Sequence, residues 1–234
     1  MRYDLCVERL GLHGMQGRLN ALGTFAVWLS LMAGGAVAGE LQVRLSGSDG
    51  SPVPFAVLSV PGAQAAQPVS QAGATVDQRE RRFDPLVTTI TPGTEVTFPN
   101  SDDTRHHVYS FSPGNAFELK LFRANDAPPV AFNTPGVVTL GCNIHDSMKA
   151  YLYVSENPST VVSDERGVAS LRWAGGATEL EVWHPQLPAP LRFPLPDAGG
   201  ELALDLPLVW EDPQGSKTDS ELENMLKRFT RDAN

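Results

Sequence analysis

From Gly39 onward, apolar residues alternate with polar ones in short runs separated by turn formers, the period-two pattern of half-buried β-strands. Leu41, Val43 and Leu45 mark the first run. Ser48-Asp-Gly-Ser-Pro52 is turn chemistry, and a second run spans 55–60, so the two runs are expected to form a hairpin. Residues 62–71, rich in Ala and Gln, read as a loop. Further strands are expected at 87–91, 95–98, 106–111, 117–122, 137–142 and 150–154. Pro92-Gly93, Pro99-Asn-Ser-Asp-Asp103, Ala127-Pro-Pro129 and Pro135-Gly136 punctuate them. After Asn157-Pro158 the texture changes. A turn at Asp164-Glu-Arg-Gly167 precedes runs at 168–173, 178–183, 191–193 and 201–209, which predict a small second β module over 157–211, packed on the first. In the tail, 212–234, Leu222, Met225, Leu226 and Phe229 fall at helical spacing behind a Ser220/Glu223 capping box, which predicts a short C-terminal amphipathic helix. The fold class is all-β, and the 21 Gly and 19 Pro fit its many turns.

The first residues read differently. Arg18 precedes a stretch, 21–37, with no charge, and Ala36-Val37-Ala38 is a small-residue cleavage site. Residues 1–38 are therefore expected to be a signal peptide, with Met15 an alternative start, and the mature chain a periplasmic protein beginning at Gly39. An uncleaved anchor is the competing reading; no other stretch is long and apolar enough to span a membrane, so no stable insertion is expected after cleavage. The net charge of −9 repels phosphate backbones, which argues against nucleic acid and favours a basic docking partner. Of the two cysteines, Cys6 lies in the leader, leaving Cys142 as a lone thiol in an oxidising compartment. A metal bound to its thiolate would remove that liability.

The chemistry concentrates in Cys142-Asn-Ile-His145-Asp-Ser-Met148, a C-x-x-H-x-x-M loop between two apolar strands. A loop joining two strands can turn these three side chains toward one point. Thiolate, imidazole and thioether together make a soft site. Zinc rarely uses Met, whereas copper takes a thiolate, two imidazoles and a weak axial Met. The second imidazole must come from His106 or His107. As neighbours on a strand they point to opposite faces, and both faces carry apolar residues, so periodicity leaves both open. Other readings stand beside the metal one. Met148 could be core packing, and Cys142 could be a nucleophile with His106 or His145 as its base. Asp102-Asp103 and Asp146 read as loop solvation, and His184 as packing around Trp183 and Pro185. Four histidines in the mature chain exclude a multicopper enzyme, and one cysteine in the loop excludes a binuclear copper site.

These residues carry a resemblance. Phe83-Asp-Pro85, Gly93-x-x-Val96-x-Phe98-x-Asn100, His106-His-Val108, Pro135-Gly136 and the Cys142/His145/Met148 loop together resemble the plastocyanin/amicyanin cupredoxins, over about 75–154. More narrowly, His-His-Val-Tyr-Ser-Phe and Gly-Cys-Asn-Ile-His-Asp are similar to a cupredoxin-like group called methylamine utilization proteins. Asp164-Glu-Arg-Gly167 and Val182-Trp-His-Pro185 are similar to the carboxypeptidase-regulatory-like β modules that accompany it. The resemblance implies a cupredoxin Greek-key β-sandwich over 39–156 with one type 1 copper held by His106, Cys142, His145 and Met148. It implies one-electron transfer rather than enzyme catalysis, with redox partner proteins such as a cytochrome or dehydrogenase, and His145 as the electron port. In that family an Asn after the first histidine ties the ligand loops together; here His107 stands in its place, with Asn143 its expected partner. Copper delivery without a redox partner, or a Cys–His thiol enzyme, are the rival functions.

Overall fold

The computed structural model describes residues 38–63, 73–124, 126–157, 159–175, 177–196 and 199–214. The expected leader up to residue 37 and the expected C-terminal helix lie outside these residues. Every regular element among the described residues is a strand. In chain order they are β1 (Ala38–Ser46), β2 (Val57–Ser59), β3 (Ala74–Thr75), β4 (Asp77–Arg79), β5 (Arg82–Asp84), β6 (Val87–Ile90), β7 (Thr94–Thr97), β8 (His106–Ser110) and β9 (Phe117–Phe122). There follow β10 (Val130–Phe132), β11 (Gly136–Gly141), β12 (Lys149–Val154), β13 (Thr160–Val162), β14 (Val168–Ala174), β15 (Glu179–Trp183), β16 (Leu191–Pro194) and β17 (Gly200–Asp205). Among the described residues no helix is long and apolar enough to cross a membrane.

One sandwich holds the residues of interest. A five-stranded sheet ordered β6-β12-β11-β8-β9 faces a three-stranded sheet ordered β10-β7-β3. Alternation sets the faces: Ala150, Leu152 and Val154 of β12 and Val138 and Leu140 of β11 turn inward, while Lys149 and Thr139 turn out. Phe98, Phe117 and Phe132 interlock between the sheets, with ring centroids 5.5–6.5 Å apart. Strand β9 breaks its own alternation. His106 lies opposite Phe122 and Val108 opposite Leu119, so β9 carries one extra residue there. That bulge leaves Leu121 exposed and brings Phe122 into the core. The non-sequential order, with β6 parallel to β12 and β3 parallel to β7, is consistent with a cupredoxin-like sandwich.

The second sandwich corrects two expectations. Its sheets are β14-β1-β17 and β13-β2-β15-β16. The turn after β1 forms: Gly47 N–H donates to Ser51 O (2.8 Å), and Asp49 accepts from the N–H and hydroxyl of Ser51. Yet β1 and β2 do not pair as the expected hairpin. Strand β1 is flanked by β14 and β17, so its ladder is full on both edges. Pro52 and Pro54 lack an N–H, and Phe55 adopts φ 61°, so the chain leaves the first sheet and crosses to the other. The two strands then lie in facing sheets and share one core, with Leu41, Val43 and Leu45 of β1 clustered with Leu58 of β2 and the adjoining Val60. The expected 39–156 unit therefore loses its first two strands to the 157–211 region, and the site-bearing sandwich is an insertion between β2 and β13. A smaller apolar cluster, Val57 with Leu86 and Val87, joins the two sandwiches, and Trp183 packs there on Tyr151 and Tyr153. Burial pushes both tyrosine hydroxyls above their ordinary pKa, with Glu181 adding to the effect at Tyr153.

Candidate metal centre

The loop between β11 and β12 is short because the two strands pair up to Gly141 and Lys149, and Met148 N–H closes it on His145 O (3.0 Å). Cys142, His145 and Met148 thus leave one hairpin end. His106 begins β8, a neighbour of β11 in the same sheet. The approach to His106 is fixed by Asn100, whose side-chain N–H groups donate to Thr104 O (2.9 Å) and Phe122 O (3.0 Å) while its oxygen accepts from Asp102 N–H (3.0 Å).

The side chains meet. One nitrogen each of His106 and His145 and the sulfur of Cys142 all lie within 4.8 Å of one another. His106 Nδ1 is 3.9 Å from Cys142 Sγ, and the two imidazole centroids are 5.1 Å apart. Bonds of about 2.0 Å to nitrogen and about 2.3 Å to sulfur in a trigonal arrangement set ligand atoms roughly 3.5–4 Å apart, so the three can close on one ion. His145 Nδ1 is buried without a hydrogen-bond partner, an orphaned lone pair that a metal would take up. Met148 is 1% exposed and shares its core cluster with Cys142 and Val108, which places the thioether within this end of the core. The donor set fits copper, and His106, Cys142 and Met148 are buried around it.

His106 is held from behind. Its Nε2 pairs with Asp102 Oδ2 at 2.7 Å, which leaves Nδ1 facing Cys142. The same carboxylate accepts backbone N–H groups from Glu80 (2.6 Å) and Arg81 (2.9 Å). Burial pushes the Asp102 carboxyl up, but the donors from Arg81, His106 and Glu80 outweigh it and hold the group below its ordinary pKa. His145 is also held below its ordinary value, by burial first and then by the charges of His106 and Arg81, with Asp102 offsetting part of this. A neutral imidazole with a free lone pair is the form a metal needs.

His107 takes the other face of β8. Its Nε2 pairs with Glu118 Oε1 at 2.9 Å, and its ring packs on Tyr109 with centroids 5.6 Å apart. The expected tie to Asn143 is not made; Asn143 is exposed, and Glu118 on neighbouring β9 is the available acceptor. Asp102 reverses an expectation too: it is a structural acceptor for three donors rather than a solvated loop residue. Asp103 and Asp146 are exposed. His184 lies in the second sandwich, fully buried, with its ring on Trp210 (5.4 Å).

A scan against protein-family models gave no match, and neither did a search of curated proteins. Solved structures do match. A copper-containing nitrite reductase from Thermus scotoductus SA-01 is 27% identical over 41% of this chain and 24% of its own, with a TM-score of 0.34. This chain thus spans about a quarter of that protein. A purple cupredoxin from Nitrosopumilus maritimus is 22% identical over 35% of this chain and 99% of its own, TM-score 0.32. A reduced variant of amicyanin is 19% identical over 42% and 98%, TM-score 0.34. The likeness is to copper proteins of the cupredoxin kind and extends to about two-fifths of this chain. With each of these scores below 0.5, the reading of the site rests on its own geometry.

Proposed function

We propose that this chain is a periplasmic type 1 copper protein that passes single electrons between partner proteins. The observation that carries the reading is the convergence of His106, Cys142 and His145 within 4.8 Å at the end of a closed apolar core. Copper, when bound, supplies the one-electron couple. The chain's own residues do the rest. The Cys142 thiolate and the two imidazoles form the strong donors, and Met148 is the weak fourth one. Two sheets and the Asn100 and Asp102 contacts hold these donors, so little movement accompanies a change of oxidation state. His145 is only partly buried, and Ile144 beside it is 45% exposed, which offers a contact point at the metal edge. The acidic chain favours a basic partner, such as a cytochrome or dehydrogenase with a complementary face. The leader, cut before Gly39, supplies export. The second sandwich is read as the carboxypeptidase-regulatory-like module, extended at its N-terminal side by β1 and β2.

The test is to load the mature protein with Cu(II) and record visible and electron paramagnetic resonance spectra. An intense thiolate-to-copper band with compressed hyperfine splitting is expected, and Cys142→Ser should abolish it. Ordinary tetragonal copper signals would sink electron transfer and favour copper delivery. Failure to take up copper, with rapid alkylation of Cys142, would leave the thiol enzyme.

A further inference from the structure

We infer that the C-terminal segment Leu208–Gln214 is a strap by which the second sandwich positions His106, acting through the β4–β5 hairpin. Leu206 and Leu208 are buried in the core of the second sandwich, and Trp210 packs on Phe55 (5.7 Å) and His184 (5.4 Å). The chain then crosses to the first sandwich. Asp212 pairs with Arg82 and accepts the N–H of Gln214 (3.0 Å). Gln214 is 6% exposed; its Oε1 accepts Phe83 N–H (2.7 Å), and its Nε2 donates to Phe83 O (2.9 Å). One side-chain amide thus does for β5 what a neighbouring strand would do. The sheet of β4 and β5 has only these two strands.

The hairpin needs outside support. Its turn residues, Glu80 (φ 53°) and Arg81 (φ 59°), both sit in the left-handed region. A two-residue turn of that kind prefers Asn-Gly or Asp-Gly; with two L residues bearing long side chains it persists only where its surroundings over-determine it. Two anchors do so. At the turn, both N–H groups chelate the Asp102 carboxylate; at the strand, Gln214 grips Phe83. Gln78 N–H to Pro99 O (3.0 Å) and Ser101 N–H to Gln78 O (2.9 Å) tie β4 to the loop before His106, and the Phe83 ring is buried in the first core; the backbone of Phe83 on β5 is held by the strap. Asp102 then passes the position of the turn to His106 Nε2. Asp212 and Gln214 are therefore positioning residues for a ligand in the other sandwich. The effect on copper rests on the reading of His106 as a ligand; the positioning of its ring does not.

The experiment has two arms. In the metal-free protein, ring-nitrogen resonances of His106 are compared for wild type, Gln214→Ala, Gln214→Glu, Glu211→Ala and Ser163→Ala at a fixed pH above 8. In the copper-loaded protein, Cu(II) affinity by competition and the reduction potential are measured for the same set. Gln214→Ala is expected to shift His106 Nε2 and lower Cu(II) affinity by about three- to tenfold, short of the roughly 10–100-fold for loss of a direct ligand partner. Gln214→Glu keeps the acceptor for Phe83 N–H and loses the donor, so it should give a smaller shift while remaining folded. Glu211→Ala, on the same strap but outside the relay, should leave His106 unmoved. Ser163→Ala breaks a buried contact of the second sandwich and should lower stability without shifting His106. An unchanged His106 resonance in both Gln214 variants, or the same shift in Ser163→Ala, overturns the inference. Wild type that takes up no copper would overturn the copper reading alone, because the metal-free arm still decides the relay.

Discussion

Each sandwich contains one histidine with no exposed surface, and their surroundings are opposite. His106 has a carboxylate at 2.7 Å on one ring nitrogen and a thiol sulfur at 3.9 Å from the other. His184 has no carboxylate. Its Nδ1 accepts Gln186 N–H (3.2 Å), Trp210 covers its ring, and burial drives its pKa down to about 4, with a backbone contact to Pro54 offsetting part of this. Burial is common to both, so burial does not make a ligand. What separates them is whether the fold brings complementary donors from other elements to the same place. The first sandwich does this at the β11–β12 loop, and the second seals its histidine inside apolar packing.

If that division of labour is right, damage to the second core should cost stability and leave the metal's signature alone. Leu171→Ala empties a fully buried position of β14, beside Leu41 of β1, in the core of the second sandwich. It should destabilise the protein by about 2–5 kcal/mol in urea unfolding, with the copper band of the folded protein unmoved. A displaced band would show that packing throughout the second core, and not only the Leu208–Gln214 strap, reaches the metal.

The next effect is set by pH. His184 titrates near 6.5 when unfolded and at about 4 when folded, so the unfolded chain binds the extra proton between these values. Its contribution is whole above pH 6.5 and drains away as pH falls toward 4, by roughly 3 kcal/mol in all. Urea midpoints of the metal-free protein should fall between pH 7.5 and 5, and His184→Leu should flatten the slope. An equal slope in the variant would remove His184 from the account.

How much of this could be read from the chain follows the same contrast. Local order was legible: alternation located β9 at both ends and placed β8, β11, β12, β14 and β15 to within a residue or two, and C-x-x-H-x-x-M showed which loop gathers Cys142, His145 and Met148. Sheet membership was not, because Leu41, Val43 and Leu45 state that one face of β1 is buried without saying which strands lie beside it. The roles of Asp102 and Gln214 were hidden for a related reason. Their partners, the turn at Glu80–Arg81 and the backbone of Phe83, are 21 to 131 residues away. His107 took Glu118 instead of Asn143 because pairing with β9 decides its neighbours.

A smaller effect tests the carboxylate that sets His106 apart. Asp102→Asn keeps the shape and one acceptor but removes the charge facing His106 Nε2. Copper affinity should fall by about 10–100-fold, equivalent to about 1.4–2.7 kcal/mol, while Asp103→Asn on the exposed neighbour changes nothing measurable. Equal behaviour of the two variants would mean that Asp102 is only a loop former.

The smallest expected effect concerns the histidine next door. His107 and His106 are adjacent and both buried, and each pairs through Nε2 with a carboxylate, at 2.9 and 2.7 Å. They differ in what lies at the other nitrogen: a thiol for His106, no hydrogen-bond partner for His107. The Glu118 side chain is 55% exposed, so solvent screens its pairing and its loss should cost no more than about 1 kcal/mol. Glu118→Gln should therefore leave copper affinity and the visible band at wild-type values, with only a slight fall in the urea midpoint. A change in the band as large as that of Asp102→Asn would place His107 in the metal's surroundings. The two faces of β8 would then have to be treated as one site, because strand geometry alone would no longer separate ligand from neighbour.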